Sequence, residues 1–137
     1  MNLVIHLKII GIVLILLALV HLILPRWCDW AVELARLSLL NRQLMQVHTF
    51  FIALVVLMFG ALTFFCTDEL LSRSRLAQVV LMGFTVFWAV RLYFQFFVYD
   101  AQLWRGKRFE TLVHILFACF WTYCTVVYSW AYWVSRQ

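Results

Sequence analysis

Residues 76–99 read LAQVVLMGFTVFWAVRLYFQFFVY, an apolar run interrupted by a single full charge, Arg91. Crossing a hydrocarbon core of ~30 Å takes ~20 helical residues at ~1.5 Å each, and this stretch exceeds that length. Its apolar character is continuous, whereas a strand of a membrane barrel would alternate over ~10 residues. Three further segments have the same property, residues 3–24, 44–66 and 109–133. Hydrophobic residues make up 66% of the chain and charged ones 12%, with one proline, a balance well outside that of soluble globular proteins. The expected fold is therefore all-α: an integral membrane protein, a four-transmembrane-helix bundle forming one domain over residues 1–137. Residues 3–24 read as a retained helix rather than a signal peptide, because the apolar run exceeds an h-region and no small-x-small cleavage site follows it.

The links between these segments are short and polar. Pro25 is expected to end the first helix, since it cannot continue the hydrogen-bond ladder and biases Leu24 away from helical geometry. In residues 29–43, Asp29, Glu33 and Arg36 share one face while Trp30, Leu34 and Leu37 share another, the pattern of a short interfacial helix between helices 1 and 2. Thr67, Asp68 and Glu69 close the second span, and residues 100–108 form the polar turn before the fourth. One membrane face carries Arg26, Arg36, Arg42, Arg105, Lys107 and Arg108; the other, with both termini, carries Lys8, Arg73, Arg75 and Arg136. The excess of Lys and Arg in cytoplasmic loops then puts the termini on the non-cytoplasmic side. The net positive charge suits membrane lipids with anionic head groups. It does not suit nucleic acid, because the charges are divided between two faces and form no continuous patch.

The four cysteines form no CxxC, and Cys119 and Cys124 point to different faces of one helix, so small buried hydrophobes explain them better than a redox pair. The intramembrane polar residues are more informative. His21, His48, Gln95 and His114 fall at ~5 to 8 Å inside the apolar boundary of one leaflet, and Arg91 at ~13 Å. Trp88, Arg91, Gln95 and Tyr99 follow spacings of three and four on the third helix and so form one stripe. Ionisable groups in hydrocarbon are costly and usually face the bundle interior and one another. A shared ligand-binding cluster of His21, His48, Arg91, Gln95, Tyr99 and His114 is the expectation. It would recognise a quinone, a sterol or a lipid head group, with aromatic walls from Trp88, Trp104 and Trp121. The competing expectation is a redox protein in which His21, His48 and His114 ligate a metal ion or haem b, with Glu110 orienting His114 as an outer partner. Gly60 and Gly83 lie near the opposite leaflet, which leaves little room for a porphyrin beside the histidines.

The four-helix layout, the His48-Thr49-Phe50 motif opening the second helix and the Phe97-Val98-Tyr99 ending of the third resemble the ergosterol-biosynthesis scaffold family. In that family, too, polar residues occupy the third helix where Arg91 and Gln95 stand here. The resemblance covers roughly the first hundred residues; the fourth helix and the Trp104-Arg105-Gly106-Lys107 turn depart from it. It implies a non-catalytic protein that gathers sterol-modifying enzymes in the membrane. The partners expected on this reading are membrane lipids and other integral membrane proteins or further copies of the chain.

Overall fold

A computed structural model of the chain describes residues 2–137. Four long helices dominate it: α1 (Leu3–Trp27), α2 (Leu39–Phe65), α3 (Arg75–Phe97) and α4 (Arg108–Ser135), with no strand among the described residues. Each is long and apolar enough to cross a membrane. Their 23 to 28 residues correspond to ~35 to 42 Å of helix against a core of ~30 Å. Apolar side chains such as Ile5, Leu16, Phe50, Met58, Val79, Phe97, Leu116 and Trp133 stand exposed along all four. Water would penalise such surfaces, whereas lipid would not.

Helix ends follow from local chemistry, in places against expectation. α1 does not stop at Pro25 but runs through it to Trp27. Proline there removes only its own N–H from the ladder, and the next turn still closes, with the Cys28 N–H on the Leu24 carbonyl at 2.9 Å. α2 begins five residues earlier than expected, at Leu39, because the Ser38 hydroxyl accepts from the Asn41 N–H at 3.4 Å and caps it, as serine does at helix starts. The segment between them is correspondingly shorter in helix than the amphipathic pattern suggests. It consists of one α turn, Trp30–Glu33, and one 3-10 turn, Leu34–Arg36, before Leu37 becomes extended. Asp29 enters it at φ 48°, a left-handed conformation that short polar side chains tolerate. Ser74 caps α3 by accepting from the Ala77 N–H at 3.1 Å.

The chain divides into two compact units, Val4–Thr67 and, for the greater part of the other, Asp68–Gln137. In the first, α1 and α2 run antiparallel. A Cβ placed on Gly11 would lie 2.7 Å from Phe64 Cβ and 3.0 Å from the Gly60 carbonyl oxygen, and one on Gly60 would lie 2.9 Å from the Gly11 carbonyl oxygen. The two backbones thus touch where neither residue has a side chain, the small-residue contact used between helices in lipid. Near this contact the Lys8 ammonium donates to the Phe64 carbonyl and lies 4.8 Å from the centre of the Phe64 ring.

In the second unit α3 and α4 also pack antiparallel, along a ladder of paired side chains. Gln78 Nε2 donates to the Ser135 carbonyl at 3.0 Å. Phe84 meets Tyr128 edge to face at 5.1 Å between ring centres, and Trp88 stacks on Trp121 at 4.9 Å and 8°. Gln95 meets His114 at 2.8 Å. A short turn, Thr67–Leu70, precedes α3, and a 3-10 turn, Ala101–Leu103, joins α3 to α4.

Candidate functional site

The site is assembled from the last two turns of α3, the turn after it and the first two turns of α4. Arg91 and Gln95 are one helical turn apart, so their side chains lie on the same face. Arg91 Nη1 donates to Gln95 Oε1 at 3.2 Å. A guanidinium has only donors to offer, so Gln95 presents its oxygen inward and its amide nitrogen to the neighbouring helix. That nitrogen lies 2.8 Å from His114 Nδ1. An amide nitrogen only donates, which makes Nδ1 the acceptor and leaves the proton of the neutral imidazole on Nε2. One charge on α3 therefore sets the tautomer of a histidine on α4 through a single amide. Gln95 is buried, at 5% exposure, and both ends of its amide are satisfied.

Aromatic rings hold the two ends of this relay. The Arg91 guanidinium carbon lies 5.1 Å from the centre of the Trp121 ring and 5.5 Å from that of Tyr99, within cation–π range. His114 stacks on Trp104 at 3.9 Å and 15°. Trp104 is placed by the turn: its carbonyl accepts from Thr111 Oγ1 at 2.7 Å and from the Lys107 N–H at 3.0 Å. Gly106, at φ 82°, reverses the chain between them, and the Asp100 carboxylate caps the turn by accepting from the Gln102 N–H at 2.8 Å. Thr111 is the residue that sequence reasoning missed. Its one visible signal is its position in the first turn of α4, within reach of carbonyls left open by the turn.

An open cleft of about 350 Å³ borders this relay, lined by Arg91, Gln95, Tyr99, Trp104, Glu110 and His114 together with apolar neighbours. That volume lies at the lower end of small-molecule sites, ~300 to 1,000 Å³. A second cavity of about 400 Å³ shares Arg91 and Tyr99 and is otherwise walled by Phe87, Val90 and Phe94. Among the described residues Arg91 touches an amide and two ring faces and pairs with no carboxylate. Its charge lines the cleft with no carboxylate in ion-pair contact.

Four of the six residues expected to form a ligand cluster, Arg91, Gln95, Tyr99 and His114, thus line one cleft. His21 and His48 belong to the other unit. The His21 Nδ1–H donates to the Leu17 carbonyl of its own helix at 2.8 Å, and His48 is exposed on α2. Glu110 is exposed on the rim of the cleft, and it is Gln95 that occupies the Nδ1 of His114. Among the described residues no three His, Cys, Asp or Glu side chains gather to hold a metal ion. In comparisons with protein families, curated proteins and solved structures, nothing matches the chain.

Proposed function

We propose that this is a small, non-catalytic, multi-pass membrane protein that holds a lipid-like ligand in the α3–α4 cleft and serves as an accessory or scaffold to other integral membrane proteins. The observation that carries the reading is the uncompensated guanidinium of Arg91, tied through Gln95 to His114 at the turn end of an apolar hairpin. At the bilayer centre a charge costs ~2.5 to 3.5 kcal/mol on insertion scales, and a bound head group would offset the share of that cost that Arg91 incurs nearer the interface. The resemblance of His48-Thr49-Phe50 and Phe97-Val98-Tyr99 to the ergosterol-biosynthesis scaffold family supports the same non-catalytic class. On this reading all four helices cross the membrane, residues 29–36 lie in its interface, and the basic turns around Arg36 and Lys107 face the cytoplasm.

Replacing Arg91 by leucine tests the reading. Loss of co-purifying lipid from a variant that stays folded is the expected result. A variant that keeps both its melting temperature and its full lipid complement would remove Arg91 from the site and the proposal with it. A visible spectrum showing haem, or a stoichiometric metal in the purified protein, would replace this reading by the redox one.

A further inference from the structure

Resting on that reading of the cleft, we infer that its ligand is a zwitterionic phospholipid, with phosphate at Arg91 and ammonium at Glu110. The groups that line the hairpin stand in a definite order along it. The pairing of Gln95 with His114 sets the level at which α3 and α4 are in register. Arg91 reaches that level, since its Nη1 is bonded to Gln95 Oε1. Glu110 stands one turn before His114, ~6 Å closer to the membrane surface, and lines the same cleft. Phe87 and Val90, which precede Arg91 on α3 and so stand nearer the bilayer centre, wall with Phe94 the cavity that Arg91 and Tyr99 share with the cleft. From depth to surface the hairpin therefore presents an apolar slot, a cation with free donors, and an anion. A phospholipid with an ethanolamine or choline head presents an acyl chain, a phosphate and, one two-carbon linker further out, an ammonium group. The two sequences are complementary term by term.

The chemistry at each level agrees. Arg91 keeps donors beyond the one given to Gln95, and guanidinium matches the geometry of phosphate oxygens. The Nε2–H of His114, its tautomer set by Gln95, adds a neutral donor among the residues that line the cleft. Trp104 lines the same cleft as Glu110, and an indole ring is of the kind that attracts ammonium groups. An anionic lipid such as phosphatidylglycerol would satisfy Arg91 but bring no cation to Glu110, so this one carboxylate at the rim discriminates between head groups.

The test uses the full chain in mild detergent and native mass spectrometry with phosphatidylethanolamine and phosphatidylglycerol of identical acyl chains. The wild-type protein is expected to retain the zwitterionic lipid about three- to fivefold better, the scale of one exposed ion pair. Glu110→Gln, at an exposed position, should abolish that preference while lipid is still bound, and Arg91→Leu should release both lipids. Phosphoethanolamine lacking acyl chains should compete poorly. Equal retention of the two lipids by the wild type, or an unchanged preference in Glu110→Gln, would overturn the zwitterion assignment while leaving a lipid site in place. Undiminished binding of both lipids by Arg91→Leu would overturn the site itself. Competition by the free head group as effective as that by the lipid would assign the cleft to a soluble phosphoester instead.

Discussion

Gln95 is the residue on which the site turns, because a single amide must answer a donor on one side and an acceptor on the other. Gln95→Leu keeps the volume but strands an Arg91 N–H and leaves His114 Nδ1 without its donor. Leaving such groups unsatisfied costs ~1 to 3 kcal/mol each where water is excluded, so a clear fall in thermal stability in detergent is expected. An unchanged melting temperature would show that the amide does not join the helices. Gly106 makes a second prediction at this scale. Its φ of 82° is strained by ~1 to 2 kcal/mol for a residue with a Cβ, although a Cβ there would meet no atom within 4 Å. Gly106→Ala should therefore weaken lipid retention through Trp104, and quenching of tryptophan fluorescence by brominated lipid would report it. The pairing of Arg91 with Gln95 was legible from their spacing on one helix. The pairing of Gln95 with His114 was not, since it depends on the register of two helices separated by a turn.

At the scale of the elements, the two hairpins are held by different means. α1 and α2 meet through bare backbone at Gly11 and Gly60, while α3 and α4 meet through large rings, with Trp88 1% exposed and Tyr128 fully buried. Gly83 is the natural control, because a Cβ there would touch nothing within 4 Å. Gly83→Ala should be neutral or stabilise α3 by up to ~1 kcal/mol through helix propensity. Gly11→Ala, whose Cβ would sit 2.7 Å from Phe64 Cβ, should push the α1–α2 pair apart and lower the unfolding midpoint in a detergent titration. Equal effects of the two substitutions would count against the backbone contact. The sequence showed Gly60 as a small residue far from the histidines; it did not show that Gly11 stands opposite it. Pro25 carries the converse lesson. A proline rule that holds in the middle of a helix overstates the break in the last turn, where a single hydrogen bond is lost.

For the whole molecule the testable statement is topology. With four crossings, Gln102 in the α3–α4 turn and Gln137 at the C-terminus should lie on opposite sides of the membrane, the turn with its Arg105, Lys107 and Arg108 on the cytoplasmic side. Single cysteines at these positions in a chain lacking its four native cysteines, labelled with an impermeant thiol reagent in sealed vesicles, should react from opposite sides. Reaction of both from the same side would remove a crossing. The number of long helices and their approximate spans followed from sequence alone. A helix satisfies its backbone polar groups within itself, so composition and length over ~20 residues suffice to read it. The partners of the side chains required tertiary structure. In a helix that is apolar all round, periodicity does not say which stripe meets a neighbour, and lipid is as good a solvent for leucine as another helix is. Packing register brought His114 to Gln95 and placed Glu110 at the rim of the cleft that Arg91 enters from below, while the Gly106 turn brought Trp104 to His114.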